Sequence, residues 1–492
     1  MKISFIAPPS LDNKPAADRL YGCAYSFYYL PHIPSLICAT LLRDSGYNVE
    51  LLDFPAQKKG IPEFIKYIKT TDTEIFVFYS VFLTKRTDLK AREMIRQVKP
   101  KAKFIFMGPY PTAFPFEIID NKSDTVVVRG EPEEITLKVI QRMNSKQLFH
   151  DIENILFHNG QTVIQGPYGD FIQDIERLPI PDRKLLDHSV YFNSKMKSSP
   201  QTVILTSRGC SFRCWYCFPN SLSYIREAVY REKNGRKPPV KLMSIDRIDR
   251  ELEEIANLGF KAVSVMDDNF IWGEDRTLKL CGLFKKYRLE WSCLARVDLL
   301  TEPIIKAMKE SRCVYVDLGI ESFDPVVLKC IKKDLDIERA KTTIKLMQKY
   351  GVEPEVNILI GSCPTETEES IRKTISEVER LKIHYVLYSI ATPFPGTELY
   401  EAAKKGGWLI GGEYSLSDAV YESVLSYPQL PKEKMERLVS WAYRRHYFSK
   451  HFLMKEITSI RSFKEFVSKV ATGLIVFNKY ILGMQKKESE TA

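Results

Sequence analysis

The chain of 492 residues carries 72 Lys and Arg against 62 Asp and Glu, a net charge of +10, with 44% hydrophobic and 27% charged residues. That length exceeds what one hydrophobic core organises, so two or three domains are expected, and the composition argues against a mainly disordered chain. Residues 431–492 hold 13 Lys and Arg against 6 Asp and Glu, or +7, which puts most of the excess in a basic tail and excludes a nucleic-acid-binding body.

The opening MKISFIAPPS reads as a first strand and lacks the basic, long apolar and small-residue regions of a signal peptide, so a cytoplasmic protein with reduced thiols is expected. Up to about residue 145, apolar runs of strand length alternate with helix-period segments: Ile3–Ile6, Val49–Leu52, Ile75–Tyr79, Phe104–Met107 and Thr125–Val128. This pattern predicts a doubly wound α/β domain. Its ligands would lie beyond the carboxyl ends of the strands, at Pro8, Asp53, Ser80, Gly108 and Arg129–Glu131. NILFHNGQTVIQ then predicts a hairpin with Asn159-Gly160 at its tip, followed by the Pro-containing LPIPDRKLLD, and both read as a connection.

A second βα series begins at Thr202, with strand candidates VILTS, AVSVM, WSCLAR, VYVDLGI, EVNILI and HYVLYSI. Six repeats suit a partial or complete α/β barrel, whose catalytic residues sit at the carboxyl ends of the strands. Directly after the first of these strands comes SRGCSFRCWYC, with Cys210, Cys214 and Cys217 in one loop beside Gly209.

A four-iron cluster needs a thiolate at each iron unless one site is reserved, and three cysteines leave one iron open. The open iron could chelate the amino and carboxylate groups of S-adenosylmethionine (SAM), whose reductive cleavage gives a 5'-deoxyadenosyl radical. The alternatives are zinc and chance spacing. Structural zinc wants four ligands, commonly in two knuckles, and no second knuckle follows. The other seven cysteines, Cys23, Cys38, Cys281, Cys293, Cys313, Cys330 and Cys363, are scattered and read as small buried hydrophobes.

The loop and the chain order around it resemble the radical SAM superfamily. The resemblance implies that Tyr216 touches adenine and that Asp267, Asp268 and Asn269, in MDDNF, serve the SAM amino group. It likewise gives Arg296, in CLARVDLL, to the SAM carboxylate, a task suited to the guanidinium fork. Glu321, in LGIESF, falls on the ribose hydroxyls, and Asn357, Gly361 and Pro393–Gly396 on the adenine side. Where many relatives carry Pro-Gly after the fifth strand, this chain has Ser362-Cys363-Pro364.

A doubly wound domain ahead of the barrel, with GPYPTAFP and RGEPEE segments, resembles the cobalamin-binding group within that superfamily. Inside the group the likeness is to hopanoid side-chain ring-forming, archaeal tetraether ring-forming and anaerobic protoporphyrin ester cyclase enzymes, carried by AMKESRC, VLKCIKKDLD and PFPGTELYEAAKKGGW. The resemblance extends the cofactors from one 4Fe-4S cluster and SAM to cobalamin, although the DxHxxG pattern that supplies a lower histidine ligand elsewhere is absent. His32, in YLPHIPS, reads as structural. Gly108-Pro109 could approach a corrin closely.

Arg444, Arg445, Lys450, Lys455, Arg461, Lys464 and Lys469 interleave with Phe448, Phe452, Phe463, Phe466, Val467 and Val470. That mixture fits either a helix at a membrane surface or a helical subdomain packed on the barrel, while ATGLIVF is far short of the ~20 residues that span a bilayer. The expected architecture is α/β: a cobalamin-binding-like domain over 1–148, a linker and hairpin over 149–199, a partial (β/α)6 radical SAM barrel over 200–410 and a basic helical region over 411–492. The expected activity is ring closure or C-methylation on a large apolar, lipid or isoprenoid, substrate. The electron would come from an external donor such as ferredoxin or flavodoxin, and the expected location is the cytoplasm, with peripheral contact at the inner face of the membrane left open. The alternatives are cobalamin-dependent methylation of a small polar metabolite and, in another class, a non-catalytic metal-binding protein.

Overall fold

The computed structural model describes residues 1–11, 16–22, 28–410 and 423–459. They form two compact units, one of residues 1–213, 217–316 and 350–352, the other of residues 214–216, 317–349 and 353 onwards.

The first unit opens with strands β1 (Lys2–Ala7), β2 (Asn48–Asp53), β3 (Ile75–Tyr79), β4 (Lys103–Met107) and β5 (Thr125–Val128), all parallel. Helices α1 (Ile33–Asp44), α2 (Ile61–Thr70), α3 (Lys85–Val98), α4 (Pro109–Ala113) and α5 (Glu133–Ser145) make the crossovers and the loop turns. All five residues of β3 are buried, as a central parallel strand covered on both faces requires. Phe78 and Phe106 stack across β3 and β4 with centroids 4.9 Å apart. The spatial order begins β2-β1-β3-β4-β5, so the winding reverses between β1 and β3 and opens a crevice at their carboxyl ends.

The hairpin read as a connection is instead the edge of this sheet. Strands β6 (Ile155–His158) and β7 (Val163–Gln165) continue the order, with Val126 opposite Phe157 on antiparallel β5 and β6. Ile155, Leu156 and Phe157 are buried there, which an isolated two-stranded hairpin could not achieve.

The barrel strands are β8 (Gln201–Ile204), a short antiparallel pair β9 (Ser207–Arg208) and β10 (Lys241–Leu242), then β11 (Ala262–Val265), β12 (Glu290–Ala295), β13 (Cys313–Glu321), β14 (Glu353–Ile360) and β15 (Tyr385–Ile390). The six long strands run in the order β15-β14-β13-β12-β11-β8, an open barrel sheet whose strand candidates were all legible in the sequence. Its helices are α6 (Ser221–Asn234), α7 (Ile245–Asn257), α8 (Glu274–Lys286), α9 (Glu302–Glu310), α10 (Pro325–Cys330), α11 (Ile337–Tyr350), α12 (Glu368–Arg380) and α13 (Glu398–Gly406). In α7, Ile248, Leu252 and Ile255 recur at helical spacing on the buried side, and the Ser244 side chain caps the start by accepting from the Arg247 N–H.

Helices α14 (Lys432–Tyr447) and α15 (Lys450–Ser459) follow. α14 packs on β15 and does not present its apolar face to a surface: Tyr443 Oη accepts from the Tyr388 N–H at 3.2 Å, and Tyr447 Oη donates to the Val386 carbonyl at 3.1 Å. Arg445 pairs with Glu379 and lies over the Trp441 ring, and Lys455 of α15 pairs with Glu353 at 2.9 Å. Arg461, Lys464, Lys469, Phe463, Phe466, Val467 and Val470 lie outside the described residues. Among the described residues no helix is long and apolar enough to cross a membrane.

Candidate active site

The cysteine loop leaves β9 through Gly209, whose φ of +92° and a would-be Cβ only 2.8 Å from Arg226 Nη1 admit glycine alone. Cys210, Cys214 and Cys217 are all partly exposed, whereas Cys38, Cys281, Cys293, Cys313 and Cys363 are buried as expected; Cys330 is half-buried and Cys23 lies outside the described residues. Among the described residues no three His, Cys, Asp or Glu side chains close around one point that a single ion could fill. A cuboidal cluster bonds each thiolate to a different iron and so wants its ligands further apart. A glycine-led loop with three accessible thiols fits that group.

The middle of the loop is anchored within the second unit through Trp215. Its N–H donates to the Ile331 carbonyl at 3.1 Å, its carbonyl accepts from the Leu399 N–H at 3.1 Å, and Nε1 donates to the Ser362 carbonyl at 2.9 Å. Tyr216, next along, is partly exposed.

Three residues given to the SAM amino group follow β11, and the protein itself engages them to different degrees. Asp267 is 1% exposed, and its two oxygens accept from the Thr206 N–H at 2.7 Å, the Thr206 hydroxyl at 2.5 Å and the Ser207 hydroxyl at 2.7 Å. Its carboxylate therefore ties β11 to the root of the loop. Burial pushes its pKa up to about 6 against the pull of those donors. Asn269 is spent likewise, donating to the Ile271 carbonyl at 2.7 Å and accepting from the Arg296 N–H at 3.2 Å. Asp268 accepts from the Asn220 N–H at 2.8 Å through Oδ1, while its buried Oδ2 has no hydrogen-bond partner.

Arg296, at the end of β12, does reach the loop: its guanidinium lies 4.0 Å over the Phe212 ring and is gripped by Asp298 at 3.0 and 2.8 Å. In the second unit, Glu321 ends β13 with a left-handed φ of +69° and accepts from Lys333 Nζ at 3.2 Å. A Cβ at Gly319 would fall 2.6 Å from Glu321 Oε1, so glycine clears the space for this pair. Backbone strain at a non-glycine strand end is what functional sites store. Asn357 donates to Asp317 at 2.6 Å and keeps a buried, unpartnered Oδ1. Lys333 escaped the sequence reading, since a lysine in a charged run such as IKKDLD gives no sign that it is buried.

The crevice at the β1/β3 reversal is lined by Ala7, Arg19, Tyr29, His32, Asp53 and Tyr79 among others. His32 caps α1, with Nδ1 accepting from the Ser35 N–H at 3.3 Å, as the structural reading expects. Its buried Nε2, however, has no partner, and burial beside Arg19 holds the imidazole neutral with a pKa lowered to about 3. Across the sheet, Gly108 has φ +106° and a would-be Cβ 2.8 Å from the Ser80 carbonyl oxygen. An orphaned ring nitrogen in a crevice at the switch point, and a backbone only glycine can make, fit a large planar cofactor.

The Ser362-Cys363-Pro364 departure sits over a buried acid. Glu366, 2% exposed, accepts from the Ser362 N–H at 2.9 Å, and burial pushes its pKa up to about 8 from the usual 4.5. Because the folded value is the higher, the stabilisation is complete below pH 4.5 and is lost as pH rises through 8. Denaturant midpoints should therefore fall between pH 6 and 9 by the equivalent of ~3 kcal/mol. Glu366→Gln, which mimics the neutral acid, should be flat over that range; an equally steep profile would overturn the assignment.

These observations define an α/β enzyme in which a cysteine loop opens a parallel barrel behind a doubly wound cofactor domain. Residues 204–405 match the family model of the radical SAM superfamily, and residues 22–140 that of the B12 binding domain. The chain therefore carries a radical SAM domain preceded by a B12 binding domain, and its cofactors are a 4Fe-4S cluster, SAM and cobalamin. It is 26% identical over 462 residues to an uncharacterized methyltransferase of Pyrococcus horikoshii, covering 93% of this chain and 95% of that one. A cytidylyl-2-hydroxyethylphosphonate methyltransferase of Streptomyces wedmorensis is 22% identical, over 80% of this chain and 81% of its own. The hopanoid C-3 methylase of Methylococcus capsulatus is 22% identical, over 75% and 68%. The fold is shared with the cobalamin-dependent SAM radical enzyme OxsB, at a TM-score of 0.70 and 14% identity, covering 97% of this chain and 71% of that one.

Proposed function

We propose that the protein is a cobalamin-dependent radical SAM methyltransferase that methylates a carbon of a substrate bearing polar groups. The observation that carries methylation over ring closure is the crevice at the β1/β3 reversal, with the orphaned His32 Nε2 in a domain matching the B12 family model. Bound together, the cluster and SAM supply a 5'-deoxyadenosyl radical, and cobalamin supplies a transferable methyl group.

In this reading Cys210, Cys214 and Cys217 hold the cluster, Tyr216 and Asn357 face adenine, Arg296 holds the SAM carboxylate and Glu321, steadied by Lys333, takes the ribose. Asp267 and Asn269 position the loop and the β12 end, leaving Asp268 Oδ2 as the acceptor for the SAM amino group. The domains run 1–148, 149–199, 200–410 and 411–492, with the hairpin of the second segment belonging to the first sheet.

The alternation in β13 and β14 supports this substrate class. Val316, Leu318, Ile320, Val356 and Ile358 are buried, and the partly exposed side carries Asp317 and Asn357 beside Gly319 and Leu359. Polar groups on that side favour a hydrogen-bonding substrate over a bare hydrocarbon, and the names of the relatives, which include both kinds, do not decide between them.

The test is product analysis with anaerobically reconstituted protein. S-adenosylhomocysteine and 5'-deoxyadenosine formed together, with cobalamin retained, are expected. Deoxyadenosine alone would turn the reading to ring closure. Labelled methyl transfer from SAM into the organic rather than the aqueous phase of a cell extract would overturn the substrate class. Arg296→Met should raise the KM for SAM in uncoupled deoxyadenosine formation about 10- to 100-fold at unchanged iron content, the worth of a charged hydrogen-bond pair. An unchanged KM would remove Arg296 from the SAM site.

A further inference from the structure

The segment after α6 is built as a template for the cysteine loop. α6 ends at Gly235 in the left-handed region, and β10 pairs antiparallel with β9, Lys241 opposite Arg208 and Leu242 opposite Ser207. Continuing that register places Val240 opposite Gly209 and Lys237 opposite Phe212. The contacts agree: a Cβ on Gly209 would lie 3.9 Å from Val240 Cα, and Lys237 Nζ donates to the Phe212 carbonyl at 2.9 Å. Arg226 Nη2 donates to the Pro239 carbonyl at 2.6 Å and secures the middle of the segment.

Lys237 is thus a half-buried cation held against the backbone of the loop between two cluster ligands. Its other partner is Glu227 at 3.3 Å, which also pairs with Arg231 at 2.5 Å. Burial disfavours the ammonium, but Glu227 and then the negative charges at Cys217 and Cys210 outweigh it, so the lysine stays charged. A 4Fe-4S cluster with three thiolates is anionic and becomes more so on taking an electron. A fixed cation beside two of its ligands favours the reduced form, since net charge and hydrogen bonding set such potentials.

We propose that Lys237 is a positioning residue that also sets the reduction potential of the cluster, with Glu227 as the opposing charge that moderates it. The inference rests on the cluster reading of the cysteine loop. The experiment is an EPR-monitored redox titration of the full chain, reconstituted anaerobically, for wild type, Lys237→Met, Lys237→Arg and Glu227→Gln. Lys237→Met should lower the reduced fraction at a fixed potential about tenfold, equivalent to ~59 mV for one electron. Lys237→Arg should stay near wild type, and Glu227→Gln should shift the opposite way. If Lys237→Met takes up no iron, the sign of the Glu227→Gln shift decides. Potentials unchanged in Lys237→Met and Glu227→Gln, in a protein that does hold the cluster, would overturn the role of Lys237 and leave the functional reading standing. A wild-type protein without a cluster would instead sink the reading itself.

Discussion

Alanine at any one of Cys210, Cys214 and Cys217 abolishes 4Fe-4S retention and takes 5'-deoxyadenosine formation to background, while alanine at Cys38, Cys281 or Cys293 leaves the iron content at the wild-type level. The asymmetry follows from what burial does to a thiol. The three loop cysteines are partly exposed. Burial pushes Cys281 up to about 12 and holds Cys38 and Cys293 well above the ordinary thiol range. A thiol that does not ionise is neither a good ligand nor a good nucleophile. With the proposed three ligands, one iron of the cluster would be left without a protein ligand for SAM, and no fourth cysteine would be needed. Iron and sulfide analysis with the visible spectrum checks this. A single-alanine variant in the loop that keeps wild-type iron would remove that cysteine from the ligand set, and iron loss in a buried-cysteine variant would point to a second centre.

Arg208→Met destabilises the first unit by roughly 3–5 kcal/mol, the cost of stripping one partner from a buried ion pair. Arg208 is 1% exposed and donates to Glu131 at 2.8 Å and Glu133 at 2.7 Å, from the β5–α5 turn of the cofactor domain; Arg226 lies 3.8 Å from Glu131. Removing Arg208 leaves Glu133, already raised in pKa by burial, without its main compensating charge. Urea unfolding followed by circular dichroism measures the loss, and Glu133→Gln in the same chain should recover part of it. A loss under ~1 kcal/mol would mean that the network is screened by water and no more than a surface pair in value. The same network joins RGEPEE to the residue before Gly209, so the root of the cysteine loop is fastened to the B12-binding domain. Tyr79, whose hydroxyl donates to Ser221 Oγ at 3.1 Å, and Leu20, whose carbonyl accepts from the Ser221 N–H at 2.9 Å, make a second fastening at the start of α6.

The strands were legible because parallel strands buried on both faces are continuous apolar runs, and Ile75–Tyr79 and Thr125–Val128 match β3 and β5 residue for residue. The hairpin was legible as a hairpin, from Asn159-Gly160, but its attachment to β5 was not: edge pairing is a long-range event that local turn chemistry does not encode. Arg296 was singled out because a basic residue directly after a barrel strand has few places to go, and its guanidinium lies over the Phe212 ring of the cysteine loop. Asp267 and Asn269 were placed in the right turn, and there both are hydrogen-bonded within the protein. Residue type predicts that a buried carboxylate must find donors, but not whether those donors are a ligand or the hydroxyls of Thr206 and Ser207. The basic tail was open between two readings in the sequence, and for α14 the packing of Tyr443 and Tyr447 on β15 settled it, since helical spacing cannot say which surface an apolar stripe meets.

By itself the sequence determined the initiating chemistry: three cysteines at spacings of three and two in a single loop need no distant partner, so covalent proximity alone marks the proposed cluster site. The order of the two α/β domains was likewise a matter of local periodicity. The tertiary structure decided everything that depends on charge meeting charge across the fold. It paired Lys237 with the Phe212 carbonyl by the register of β9 and β10, buried Arg208 between two glutamates, set Lys333 on Glu321 and left His32 Nε2 without a partner in the crevice. Those pairings arise between residues far apart in the chain, and their energies depend on burial that no local pattern carries.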